Sequence, residues 1–297
     1  QLKNIPLAGF AQDKLMQFFR TYCVIGGMPE IIQQYAKDRD LTALNTTYES
    51  LLVSYMDDVE KYAANNAQTN YIRHAIRSCF AEAGKRIKFQ GFGNSTYKSR
   101  EMGEALRTLE KALLVHLIYP QTSPVLPLQP DYDRSPRLQF LDTGMLNYFT
   151  GIQKEIIGTE DLDAVYGGTM IEHIAGQELL ARQYSALHGL NFWIREKNTA
   201  VAEIDYIYQY KGKLIPVEVK SGADGRLRSL HLFMDLAPHK IAIRFYAGEP
   251  GISVLTTPGQ KIFYLLNLPY FLISQIEAYL PWFEEEIKKI IAGEIKS

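Results

Sequence analysis

Two short runs hold the residues best suited to chemistry. Glu203-Ile204-Asp205-Tyr206-Ile207-Tyr208 and Ile215-Pro216-Val217-Glu218-Val219-Lys220-Ser221-Gly222 both alternate polar with apolar side chains, the period of half-buried strands. Tyr210-Lys211-Gly212-Lys213 lies between them and reads as a tight hairpin. With Lys211-Gly212 as a two-residue turn, Tyr210 pairs with Lys213. Counting outward then sets Asp205 opposite Glu218 and Glu203 opposite Lys220. Three carboxylates and one ammonium would share one face, with Ile204, Tyr206, Tyr208, Ile215, Val217 and Val219 on the other. Carboxylates facing each other across strands repel. A divalent cation held by oxygen ligands is one reason to keep them together. An ordinary polar network across a hairpin is the plainer alternative.

A chain of 297 residues is long enough for two or three domains. Its 46% hydrophobic and 22% charged residues are those of a soluble globular protein, which excludes disordered and fibrous classes. The net charge of −1 makes no global case for nucleic acid, so such a site would be a local basic patch. Cys23 and Cys79 form no metal-type cluster and read as reduced core thiols of a cytoplasmic protein. The apolar run from Ile262 to Ile273 is too short and too interrupted to span a membrane, so no membrane partner is expected. His173, His188, His231 and His239 lack zinc spacing.

Three stretches are expected. Residues 1–65 read as a helical segment, broken at Gly26-Gly27-Met28-Pro29 and followed by an amphipathic helix from Leu41 to Tyr62. Residues 66–158 offer a helix over 71–83, a second from Ser99 to Leu114, and strands at 115–119 and 137–141. Helix, turn, helix and a two-stranded wing is the order of a winged helix. Its second helix exposes Arg100, Glu101, Glu104, Arg107, Glu110 and Lys111, a mixed rather than basic set that favours intramolecular packing over DNA reading. Residues 159–297 alternate helices and strands: a helix from Gly168 to His188, a strand at 192–194, the hairpin, a helix at 226–236, strands at 240–246, 252–255 and 261–265, and a helix from Pro281 to Ile295. That alternation is an α/β layer pattern.

A helix bearing a glutamate, then a hairpin supplying Asp and Glu-x-Lys, resembles the PD-(D/E)XK nuclease superfamily over residues 165–246. The ordered set Gly26-Gly27-Met28-Pro29-Glu30, Tyr55-Met56-Asp57-Asp58-Val59-Glu60-Lys61-Tyr62, Phe140-Leu141-Asp142-Thr143-Gly144-Met145-Leu146, Glu203-Ile204-Asp205 and Pro216-Val217-Glu218-Val219-Lys220-Ser221-Gly222 is similar to the C-terminal region of prokaryotic AAA-type ATPases. That resemblance implies a multidomain α plus α/β protein, in which a helical segment and winged helix precede a restriction-endonuclease-like α-β-β-β-α-β core. It places the P-loop ATPase, and with it any ATP site, before Gln1. It also implies Asp205 and Glu218 as ligands of Mg²⁺ or Mn²⁺, Lys220 as the residue orienting the attacking water, and Glu172 as accessory acid, with Glu178 as runner-up. Ile204-Asp205 stands where the superfamily has Pro-Asp.

The expected partners are DNA and the preceding ATPase domain, with homo-oligomerisation left open. Arg226, Arg228 and Lys240 follow the hairpin and could meet phosphates, although exposed cations there are commonly just solubilising. Two functions are therefore expected in competition. One is a metal-dependent deoxyribonuclease module. The other is a non-catalytic interaction or regulatory domain that keeps the nuclease-like fold.

Overall fold

The computed structural model describes residues 9–153, 169–182, 189–197, 200–220 and 227–293. The chain forms two compact units. A helical unit takes residues 20–118 and 135–177, and a sheet unit takes residues 1–19, 119–134 and 178–297.

In the helical unit, α1 (Gly9–Ile25, whose residues up to Phe19 lie in the sheet unit), α2 (Pro29–Asp38), α3 (Asn45–Glu60), α4 (Asn66–Glu82) and α5 (Ser99–Lys111) precede β1 (Val115–Gln121), β2 (Arg137–Phe140) and α6 (Thr143–Phe149). Pro29 opens α2 from its first position, where the missing N–H costs nothing. Asn65 caps α4 by accepting from the Gln68 N–H. The inner sides of α4 and α5 carry Ile72, Ile76, Cys79, Met102, Leu106 and Leu109, all buried. The first four residues of β1 pair antiparallel with β2, from Val115↔Phe140 to Ile118↔Arg137.

One buried carboxylate ties the Gly26-Gly27 turn to the Asp142-Thr143-Gly144 segment. Asp142 caps α6 by accepting from the Met145 N–H at 3.0 Å, and it accepts from the Gly27 N–H at 2.6 Å. The backbone comes this close because Gly26, at φ +74°, and Gly144 have no side chains. A methyl at Gly26 would sit 2.2 Å from Asp142 Oδ1, and one at Gly144 would lie 2.0 Å from the Ile25 carbonyl. Tyr48 donates to that same carbonyl at 2.8 Å, and Asn147 donates to the Cys23 carbonyl at 2.7 Å. Burial raises the Asp142 pKa, and the surrounding backbone N–H groups oppose the rise.

The sheet unit begins with the last residues of β1, which run parallel to β3 (Asn191–Lys197). The helix α7 (Thr169–Ala181) leads in from the helical unit. Then come β4 (Ala200–Tyr210), β5 (Lys213–Val219), α8 (Arg228–Leu236), β6 (Ile241–Tyr246), β7 (Gly251–Thr256), β8 (Ile262–Pro269) and α9 (Ile276–Ala292). Strands β3, β4 and β5 form an antiparallel meander. Helix α8 crosses over so that β6 lies parallel to β5, β8 lies parallel to β6, and β7 closes that edge antiparallel to β8. The result is a mixed α/β sheet. On one of its faces, Trp193, Ile204, Ile207, Leu214, Ala242 and Leu265 pack with Leu230, Phe233 and Met234 of α8. Full burial of such side chains is worth about 1.5–3 kcal/mol each. Among the described residues no helix is long and apolar enough to cross a membrane.

Several expectations needed correction. The last helix starts at Ile276 and not at Pro281. Pro281 lies inside it, and burial of Ile276, Tyr279 and Leu280 outweighs the missing hydrogen bond. The short α6 was not anticipated. Helix α5, expected to run to Leu114, ends at Lys111, where the chain turns through Leu113 at φ +59°. Residues 183–188 of the expected helix over 168–188 lie outside the described residues, as do Gly168, Ser221, Gly222 and Arg226.

Burial leaves acid-sensitive histidines in the helical unit, His116 and His173 among them. His173 on α7 is 2% exposed, and burial pushes its pKa down to about 4, against about 6.5 in an unfolded chain. Between those values the unfolded chain binds the extra proton, so stability falls as pH is lowered from about 6.5 toward 4. Urea unfolding across that range should show the fall, and His173→Gln should make it shallower.

Candidate active site

The hairpin is set by its turn. Lys211 and Gly212 both have positive φ, +43° and +75°, as a two-residue turn matched to strand twist requires. Tyr210 pairs with Lys213, Tyr208 with Ile215 and Tyr206 with Val217, the register counted from the sequence. Lys211 and Lys213 both bridge to Glu284 of α9, at 2.7 and 2.9 Å, which fixes the hairpin end. The pairing with Lys211 lowers the Glu284 pKa.

The expected alternation fails on the other side of β4. There Asn191 opposes Ile207 while Trp193 opposes Ile204, so β4 fits one extra residue between the two pairs. This bulge carries Ile204 into the α8-facing core with Ile207 and Leu214, away from the face predicted for it. Asp205 lies inside the bulge. The recorded pairing of β4 with β5 ends at Tyr206↔Val217, so Asp205 does not stand in a ladder pair with Glu218 as counted. Instead its Oδ2 accepts the Val219 N–H at 2.7 Å, in a place where Asp205 is only 8% exposed.

Glu218 near the end of β5 and Lys220, just past it, form an ion pair at 2.5 Å. The Glu218 side chain is 5% exposed and that of Lys220 26%, so the pair is sealed on the acid side and opens toward solvent at the ammonium. Two main-chain bonds hold Lys220: its N–H donates to the Phe245 carbonyl at 2.9 Å, and the Tyr270 hydroxyl donates to its carbonyl. Phe19 stacks on Tyr270 at 5.8 Å.

The structure therefore brings Asp205, Glu218 and Lys220 to one end of the hairpin. Glu172, half-buried in the first turn of α7, belongs to the helical unit, whereas Glu178 lies on the part of α7 assigned to the sheet unit. Among the described residues no three His, Cys, Asp or Glu group where they could hold a metal. The hairpin thus offers two carboxylates and a lysine. These are hard oxygen donors of the type Mg²⁺ or Mn²⁺ prefers, and a carboxylate can engage several partners at once. Asp205 and Glu218 are donors of that type, with Asp205 Oδ2 accepting the Val219 N–H and Glu218 paired with Lys220.

One neighbour escaped the sequence reading. Arg244 is beside Glu218 in the parallel β5–β6 ladder, with its Nε donating to Asn267 Oδ1 at 2.8 Å and its guanidinium 4.4 Å from the Tyr246 ring centre. The available signal was a lone arginine in the otherwise apolar Ile241-Ala242-Ile243-Arg244-Phe245.

Residues 16–156 match a family described as a domain of unknown function (DUF8612), and residues 167–271 match another, also of unknown function (DUF4143). The latter is a domain typically found at the C-terminus of AAA-ATPase-like proteins. No curated protein matches the chain.

Removing Lys220 would leave the Glu218 charge sealed with its cation gone. Lys220→Ala should therefore cost about 2 kcal/mol in urea unfolding, less than the 3–5 typical of a fully buried pair because Lys220 is partly solvated. The double variant Glu218→Gln/Lys220→Met should recover most of that loss.

Proposed function

We propose that this chain is the C-terminal module of an AAA-type ATPase, acting on nucleic acid through a PD-(D/E)XK-like phosphodiesterase centre. The observation that carries this reading is the convergence of two buried acids, Asp205 and Glu218, with the half-open Lys220 at the end of a bulged hairpin. Natural cores keep such charges only where they are paired or put to use. The element order supports the reading too. A helix, three antiparallel strands, a helix and a strand parallel to the third reproduce the α-β-β-β-α-β order of that superfamily. The sequence α4, α5, β1, β2 has the order of a winged helix.

In the proposed reaction a water oxygen bonds to phosphorus, the bond from phosphorus to one sugar oxygen breaks, and the departing oxygen takes a proton. Asp205 and Glu218 would hold the cation, which when bound supplies Lewis acidity and a more acidic water. The Lys220 ammonium, on the solvent side of the pair, would orient the water and offset charge gathering on the phosphoryl oxygens. The Tyr270 hydroxyl and the Phe245 carbonyl keep the lysine backbone in place for that task.

A specific observation favours a second reading. Asp205 already accepts a main-chain N–H and Glu218 already bridges a lysine, so both acids serve the fold as it stands. On that reading the sheet unit is a non-catalytic interaction or regulatory domain for the ATPase. Labelled single-stranded and duplex DNA, incubated with the chain in Mg²⁺, Mn²⁺ or EDTA, separates the two. The proposal expects metal-dependent cleavage that falls roughly a hundredfold or more in Lys220→Met, the scale of losing one preorganised electrostatic group. Intact DNA in every arm would leave the non-catalytic reading.

A further inference from the structure

The net charge of −1 conceals a strongly basic stretch. Residues 66–118, which span α4, the loop and α5, contain nine Lys or Arg against four Asp or Glu. The structure shows what those four acids do. Glu101 turns back to accept the Lys98 N–H at 2.8 Å, closing the start of α5. Glu110 accepts the Leu117 N–H at 2.7 Å, joining α5 to β1. Glu104 pairs with Arg100 at 3.1 Å, and Glu82 lies 3.7 Å from Lys85. Two of the acids that made α5 read as mixed in charge are thus taken up by main-chain groups. Its outward stripe of Arg100, Glu104, Arg107 and Lys111 is left three to one basic, and all four side chains are exposed.

The loop adds its cations to the same region. Tyr97 packs edge-on against Tyr71 and His74 of α4, at 4.8 and 5.4 Å, and the exposed Lys98 follows it at the start of α5. His74 also bonds the Phe92 carbonyl at 2.9 Å. A methyl at Gly103 would lie 3.2 Å from both the Phe89 ring and the Arg107 guanidinium, so Arg107 lies on the side of α5 that meets the loop residue Phe89, which follows the exposed Lys88 in the chain. Arg77, three residues along α4 from His74, is exposed as well.

We infer that this α4–loop–α5 surface, with Arg77, Lys88, Lys98 and Arg107 at its centre, binds the phosphate backbone of nucleic acid. The inference rests on the reading of the chain as a nucleic-acid-acting module. It does not need the hairpin carboxylates or a cation. Charge complementarity supports it: a row of cations whose local acids are held by the fold suits a regularly spaced polyanion.

The test is fluorescence anisotropy of a labelled DNA duplex with the full chain in EDTA, over a range of salt concentrations. Binding should weaken with salt at a log–log slope of about −3 or steeper, the counterion release of three or more phosphate contacts. Arg77→Glu/Lys88→Glu/Arg107→Glu should lose about tenfold or more in affinity and flatten that slope. The Gln triple variant, with its urea midpoint measured alongside, should lose affinity in the same direction. Because the titration is run in EDTA, it reads binding without the cation that the hairpin reading needs, which separates a failure here from a failure of that reading. No salt-sensitive binding by the unaltered chain would overturn the inference. So would full binding by a folded triple variant, or charge-dependent capture of phosphatidylserine vesicles without DNA binding.

Discussion

The geometry of the sheet unit turns on one buried side-chain bond, from the Val219 N–H to the Asp205 carboxylate. It forms at the point where the hairpin ladder has already ended and where β4 fits an extra residue against β3. A bulge bends its strand and re-aims side chains. Here it moves Ile204 into the α8-facing core and leaves Asp205 held by the backbone of the neighbouring strand. Glu218 and Lys220 flank the residue that Asp205 grips. The three functional candidates are therefore placed by main-chain geometry.

Asp142 in the helical unit makes a useful contrast. It too is buried and accepts main-chain N–H groups, from Gly27 and Met145. Its surroundings are those of a cap: a glycine turn on one side, a helix start on the other, and burial and backbone donors pulling its pKa in opposite directions. Nothing in that arrangement concentrates negative charge. At the hairpin, by contrast, a second buried acid follows one residue before the amide that Asp205 holds, and that acid is compensated by a lysine open to solvent. The same device, an aspartate taking a backbone amide, thus builds a joint in one unit and in the other holds the strand end that carries the Glu218–Lys220 pair.

How far these features were legible in the sequence depends on how local their causes are. The hairpin register was readable because a Lys-Gly turn and a period of two settle it within ten residues. The bulge was not, because it is imposed by a mismatch with β3, which the hairpin sequence does not contain. The helices α4 and α5 were legible from their apolar stripes. The destinations of Glu101 and Glu110 were not, since each carboxylate bonds a main-chain N–H beyond its own helix, at Lys98 and Leu117. Side chains counted as surface charge in a helical projection were therefore part of the backbone's hydrogen-bonding. The seven-residue α6 was too short to show a period, although its Asp142 cap was in plain view. Arg244 was passed over because strand β6 otherwise reads as pure core.

Calorimetric titration of the full chain with Mg²⁺ and Mn²⁺ asks whether the Asp205–Glu218 pair takes a hard divalent ion, as the proposed centre requires. Saturable uptake of one ion by the unaltered chain, lost in Asp205→Asn with the fold retained by circular dichroism, is the expected result. Absence of uptake by the unaltered chain, or undiminished uptake by the variant, would contradict it.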